Sequence, residues 1–139
     1  MIIQTEQDME RLGERIGAKL NGGEIIELIG DVGAGKTTLT HGIARGLGIH
    51  ETVQSPSFTI SCRYAARNGL TLNHYDFYRL PDAGIMALEL SETLTDPKAV
   101  TVIEWGETVQ NCLPPDHIVI DIDYLPNQGR KVEMKNFSC

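Results

Sequence analysis

Cysteine, basic charge and long apolar runs are all scarce in this chain, and each shortage excludes a class of function. Cys62, Cys112 and Cys139 are odd in number and show no Cys-x-x-Cys spacing. They indicate neither a disulfide framework nor a zinc site and read as reduced, structural thiols. Twelve Lys and Arg face nineteen Asp and Glu, a formal charge of -7. That balance argues against broad, unaided binding to a nucleic-acid backbone and leaves only a local basic patch open. No apolar stretch is long enough to span a membrane, and no charged-then-apolar signal segment stands at the start, so a cytoplasmic address is the expectation. Repeats, low-complexity tracts and linkers are likewise missing, and residues 1–139 read as one domain.

What the sequence does contain is a complete phosphate loop. Gly30-Asp31-Val32-Gly33-Ala34-Gly35-Lys36-Thr37 fits Gly-x-x-x-x-Gly-Lys-Thr and directly follows the apolar run Ile25-Ile26-Glu27-Leu28-Ile29. Leu39, Ile43, Ala44 and Leu47 then line one face of the helix that must follow, with Gly46 and Gly48 to end it. In that context the loop amides wrap a β-phosphate, the helix aims its positive end at the anion, Lys36 reaches the β/γ oxygens and the Thr37 hydroxyl ligates Mg²⁺. Asp31, Gly33, Ala34, Gly35 and Thr38 complete the expected nucleotide contacts.

Other elements follow from spacing. Met9, Leu12, Ile16 and Leu20 form a helical stripe opened by Thr5-Glu6-Gln7-Asp8 and closed by Asn21-Gly22-Gly23. The stretch from Ser55 to Ile60 leads into a strand that pairs with residues 70–77 across Asn68-Gly69. Ile85, Leu88, Leu90 and Leu94 suggest a short helix. Ala99 to Ile103 is a continuous β-branched run of the kind buried on both faces of a sheet. Ile118, Ile120, Ile122 and Tyr124, then Val132 and Met134, alternate as a terminal antiparallel pair. The order of elements predicts an α/β fold, a three-layer P-loop NTPase with a mixed central sheet.

An NTP hydrolase of this kind needs an acidic group at the end of a buried strand to hold Mg²⁺. Glu104 closes the run Val100 to Ile103 and is the candidate, against a solvated strand end. Asp76 also ends a plausible strand and either assists the metal, orients a water or makes a structural bond to a neighbouring turn. Ser55, Ser57 and Thr59 fit either a segment that orders on the γ-phosphate or a Ser-Pro turn. Trp105 either stacks on a base, covers the site or packs. Arg79 and Arg45 are candidates for charge stabilisation that sequence alone does not bring to the loop. His74 and His41 read as packing or surface residues, and Glu107 as a surface charge.

Four blocks in order carry a resemblance: Gly30 to Thr38, Ser55-Pro56-Ser57-Phe58, His74-Tyr75-Asp76-Phe77-Tyr78-Arg79-Leu80 and Ile103-Glu104-Trp105-Gly106-Glu107. Through them the chain resembles, over nearly its whole length, the TsaE family, also called YjeE. The resemblance implies an ATPase of bacterial tRNA threonylcarbamoyladenosine synthesis. Such an ATPase acts with the TsaB and TsaD proteins, resets their complex between turnovers and meets tRNA only indirectly. By the same resemblance Thr37 and Glu104 bind Mg²⁺, Asp76 supports hydrolysis of ATP, and Ser55 to Phe58 form a nucleotide-sensing loop in which Ser57 replaces the usual Thr.

Three rival readings use the same loop. A small-molecule kinase needs an acceptor site and a lid, for which few residues remain. A regulatory GTPase needs Asn-Lys-x-Asp and Asp-x-x-Gly segments, and neither occurs. A nucleotide-gated assembly factor, in which turnover is incidental, stays open.

Overall fold

The computed structural model describes residues 1–53, 61–78 and 84–138. The expectations for Ser55, Ser57, Phe58, Thr59, Arg79, Leu80 and Cys139 lie outside these residues. The described strands are β1 (Ile2–Ile3), β2 (Ile25–Ile29), β3 (Ser61–Ala65), β4 (Thr71–Asp76), β5 (Ala99–Glu104), β6 (Ile118–Tyr124) and β7 (Arg130–Lys135). They form one sheet in the order β1-β7-β6-β2-β5-β4-β3. The four central strands β6, β2, β5 and β4 run parallel, while β7 and β3 flank them antiparallel. This is the expected α/β class with a mixed sheet. Among the described residues no helix is long and apolar enough to cross a membrane.

The predicted first helix is α1 (Glu6–Ala18). Thr5 caps it by accepting from the Asp8 amide at 3.0 Å, and Glu6 and Asp8 place negative charge against the positive end of the helix. Its buried stripe Met9, Leu12 and Ile16 packs with Leu39 and Ile43 of α2 (Lys36–Gly46) on one face of the sheet, over Ile26, Leu28, Val100 and Val102. On the other face Leu90 of α3 (Ile85–Leu94) joins Ile25, Tyr75, Ile103 and Val109. Every residue of β5 is buried, because helical layers cover both sides of a strand in the middle of the sheet. The hairpin also forms: β3 and β4 pair in register from Ser61↔Tyr75 to Ala65↔Thr71, and Asn68 and Gly69 both turn at positive φ.

Helices α1 and α2 touch through glycine. A Cβ on Gly13 would stand 2.4 Å from the Leu39 carbonyl oxygen, on Gly17 2.3 Å from that of Ile43, on Gly42 2.2 Å from that of Glu10 and on Gly46 2.3 Å from that of Glu14. Gly46 ends α2 as the sequence indicated, and it has a second role at the helix crossing. Gly48, at φ 80°, makes the left-handed turn that follows. Arg67, in the β3–β4 turn, then closes both helices at once. Its guanidinium donates to the carbonyls of Gly46 at 2.6 Å and Leu20 at 2.7 Å, and more distantly to Gly17 and Ala18. A cation at two helix C-termini supplies donors to carbonyls that have no intrahelical partner.

Two described elements went unanticipated. The two-residue β1 is too short for period-2 alternation to show, and it is held by pairing with β7. A 3₁₀ segment, Gly106–Cys112, follows β5 and covers the second face through Val109. Glu27 of β2 braces it from below: one carboxylate oxygen accepts from Gln110 at 2.6 Å, and the other lies 2.9 Å from Nε2 of His117.

Asp121 sits within β6, opposite Glu133 of β7 and two residues from Asp123. Burial pushes its carboxyl above the ordinary range, and Asp123 and then Glu133 push it further. A carboxylate raised in the fold opposes folding once both states are ionised, and this penalty disappears below the unfolded value. Asp121→Asn should therefore raise the melting temperature at neutral pH. The gain should shrink as pH falls through the raised Asp121 value and be absent below about 3.9, the ordinary Asp value. Melting curves of both proteins across that range check it, and a gain independent of pH would rule out the charge as its cause.

Candidate functional site

Parallel strands bring their carboxyl ends to one edge, and three of them converge on the phosphate loop. β2 runs into Gly30, β4 ends at Asp76 and β5 ends at Glu104, with Asp76 and Glu104 direct neighbours in the register and Leu28 opposite Glu104. Because side chains alternate, Leu72, His74 and Asp76 share one face with Val100, Val102 and Glu104, the face that carries α2.

The loop is shaped by positions that need glycine. Gly33 and Gly35 stand at φ 80° and 118°, and a Cβ on Gly30 would lie 2.7 Å from the Ile122 carbonyl oxygen. Its outer wall is fixed from β6 and β7: Tyr124 donates to the Val32 carbonyl at 3.0 Å, Arg130 Nε donates to that of Ala34 at 3.0 Å, and the guanidinium stacks on the Tyr124 ring. Sequence reading gave neither residue a role, since only the return of β7 beside the loop brings them there. Thr37 and Thr38 lie in the first turn of α2, Thr37 exposed and Thr38 bonded to Glu6 at 3.3 Å.

Lys36, Asp76 and Glu104 are 5%, 8% and 3% exposed, so three charges are withdrawn from water together. Lys36 Nζ donates to the Gly30 carbonyl and lies 3.6 Å from the centre of the Trp105 ring. Burial draws the ammonium below the usual lysine value, opposed first by Glu104 and then by Asp76. Burial likewise raises Asp76. The Tyr78 amide, bonded to its carboxylate at 2.9 Å, lowers it and Glu104 raises it again. The bond to Tyr78 is the turn contact that the structural reading of Asp76 anticipated, and the carboxylate nonetheless stands beside Glu104.

Trp105 occupies the left-handed region at φ 57°, ψ 49°. This conformation costs a non-glycine residue about 1–2 kcal/mol, and it turns the indole onto Lys36 and against the ring of Tyr78 at 4.8 Å. Asp31 and Glu107 line a cavity of about 490 Å³ with Trp105, Gly106, Gln110 and Asp123. A second cavity, about 210 Å³, lies on the opposite flank of the loop between Thr5, Gly33, Gly35, Thr38, Gln128 and Arg130. Arg45 pairs with Glu10 at 2.9 Å on the α1–α2 surface. His74, read from sequence as packing, is buried with its Nε2 2.6 Å from Oε2 of Glu104.

The candidate metal donors at the loop, among the described residues, are oxygens: the Thr37 hydroxyl at the start of α2 and the carboxylates of Asp76 and Glu104, which act on Lys36. Among the described residues no three His, Cys, Asp or Glu side chains are grouped to hold a metal by themselves. That donor set fits Mg²⁺, which takes one or two protein oxygens and completes its shell with water and phosphate, and it does not suit zinc.

Known proteins share this architecture. The crystal structure of Bacillus subtilis YdiB superposes with a TM-score of 0.79 at 27% identity, covering 99% of this chain and 84% of that one. The tRNA threonylcarbamoyladenosine biosynthesis protein TsaE of Treponema pallidum is 36% identical over 131 residues, 94% of this chain and 96% of its own. The TsaE protein of Aquifex aeolicus is 34% identical over 136 residues, 96% and 93% of the two chains. Residues 3–132 match the family model described as threonylcarbamoyl adenosine biosynthesis protein TsaE, a span that contains the whole loop, both strand-end carboxylates and Arg130, so the chain belongs to the TsaE family.

Proposed function

We propose that this TsaE-family protein is a Mg²⁺-dependent ATPase that serves threonylcarbamoylation of adenosine 37 in tRNA. It works with the TsaB and TsaD proteins and resets their complex between turnovers, and tRNA is met through that complex. The observation that carries the reading is the convergence of Lys36, Asp76 and Glu104 beside the glycine-shaped loop at the ends of three parallel strands.

The loop amides and the start of α2 hold the β-phosphate, and Lys36 moves its Nζ from the Gly30 carbonyl to the β/γ oxygens. Thr37 and Glu104 supply the protein oxygens of a Mg²⁺ site, and the bound ion would neutralise charge on the transferring phosphoryl group. Asp76, with its carboxyl raised, orients the attacking water and is suited to take its proton. Trp105 screens Lys36 from solvent, which strengthens the ammonium's pull on phosphate. The cavity lined by Thr5, Glu6, Thr38, Gln128 and Arg130 beside the loop is the space this reading assigns to the base.

Mg²⁺-dependent release of phosphate from ATP, measured with and without the TsaB and TsaD pair, tests substrate, reaction and partners together. Stimulation by the pair is expected. Transfer of labelled γ-phosphate to a nucleoside or metabolite instead of water would convert the assignment to a kinase. Glu104→Ala should lose Mg²⁺-dependent hydrolysis while keeping some nucleotide binding, and unchanged turnover would remove Glu104 from the site.

A further inference from the structure

His74 stands on β4, two residues before Asp76 and on the same face, beneath α2 and beside Val102. Its side chain is 1% exposed and that of Glu104 4%, with 2.6 Å between Nε2 and Oε2. The other ring nitrogen, Nδ1, is buried with no hydrogen-bond partner among the described residues. A neutral imidazole offers one donor and one acceptor. Among the described residues a proton on Nδ1 would be buried with no oxygen to receive it, while Nε2 faces a carboxylate oxygen at short distance. The ring therefore carries its proton on Nε2 and donates it to Oε2 of Glu104. That bond fixes the rotation of the Glu104 carboxylate and occupies one lone pair of Oε2, while Oε1 takes no part in it.

A purely structural histidine would satisfy both nitrogens or yield to an apolar residue, since Leu72, Val100 and Val102 make this face aliphatic. Here one nitrogen is left unmatched so that the other can reach the carboxylate at the end of the neighbouring strand. From this geometry we infer that His74 is a positioning residue. It orients Glu104 for Mg²⁺–nucleotide and sets how tightly the metal is held, without touching substrate itself. The inference rests on the proposed role of Glu104. Partners that orient a metal-binding carboxylate change metal affinity by about 10–100-fold when removed.

The test titrates Mg²⁺ into protein with a non-hydrolysable ATP analogue, following Trp105 fluorescence, for the wild type, His74→Phe, His74→Gln and Glu104→Ala. Glutamine is chosen because its side-chain amide carries an N–H at about the reach of Nε2. His74→Phe should raise the Mg²⁺ midpoint about tenfold and leave metal-free nucleotide binding unchanged, and His74→Gln should restore the midpoint to near the wild-type value. An unmoved midpoint in His74→Phe, or a glutamine variant that behaves like the phenylalanine one, overturns the inference. If Glu104→Ala shifts the midpoint and His74→Phe does not, only the role of His74 falls; if Glu104→Ala shifts nothing, the reading of the site falls with it. Because His74→Phe replaces a buried residue and can fail to fold, long-range ¹H–¹⁵N spectra of the wild-type histidines give an independent check. A proton on Nε2 of His74 supports the assignment, and a proton on Nδ1 alone refutes it.

Discussion

Lys36→Ala should abolish nucleotide binding and, with it, hydrolysis and any partner-dependent activity. The expectation follows from what surrounds the ammonium. It is nearly buried, faces the carboxylates of Asp76 and Glu104 and lies under Trp105, so its charge acts in a poorly screened pocket. In the proposed function, removing it takes away the cation that meets the β/γ oxygens and leaves two carboxylates facing an incoming polyphosphate. Loss of one preorganised donor at a developing charge typically costs about 10²–10³-fold in rate, and the exposed repulsion adds to that. Nucleotide binding by calorimetry and phosphate release with the partner proteins both check it. Retained modification activity in a variant that no longer binds nucleotide would refute the ATPase reading and the nucleotide-gated one alike.

Gly42→Ala should destabilise the protein although it improves a helix. In an exposed helix interior the change from glycine to alanine gains about 1 kcal/mol. Here the added methyl would stand 2.2 Å from the Glu10 carbonyl oxygen and 2.9 Å from Cα of Gly13, both backbone atoms that cannot swing aside. The helices must separate, which loosens Leu12, Ile16, Leu39 and Ile43 along the whole crossing. Overpacking of this kind costs about 1–3 kcal/mol, more where backbone must move, so packing outweighs propensity. The melting temperature should fall by about 3–10 °C. Nucleotide affinity should fall with it, because α2 begins in the phosphate loop and shifts with the crossing. A melting temperature above the wild type would mean that the helices tolerate the methyl and that the glycines serve another purpose.

Much of this protein is legible one element at a time. The phosphate loop, the stripe of α1, the Asn68-Gly69 hairpin and the buried run of β5 all announce themselves because each rests on a local rule: a backbone conformation, a period or a turn. Even Glu104 can be picked out, since an acid at the end of an apolar β-branched run marks the carboxyl edge of a parallel strand. The elements that escape are those with no local signature. A two-residue strand has no period, and the 3₁₀ segment after Trp105 is held by Glu27, eighty-three positions from Gln110.

The sequence by itself determined the chemistry available: a loop of the phosphate-binding pattern, two strand-end carboxylates, an acidic overall charge and the alternation of strands and helices that yields an α/β sheet. Tertiary structure alone decided how those parts meet. It made Gly13, Gly17, Gly42 and Gly46 a helix crossing, gave the C-termini of α1 and α2 to Arg67 and brought Tyr124 and Arg130 to the wall of the loop. It also joined His74 to Glu104, which lie thirty residues apart in the chain and on adjacent strands in the sheet. The physical reason is the same throughout. Periodicity and turn chemistry act between near neighbours in sequence, whereas close backbone contact and the pairing of buried polar groups depend on strand order, which no single segment encodes.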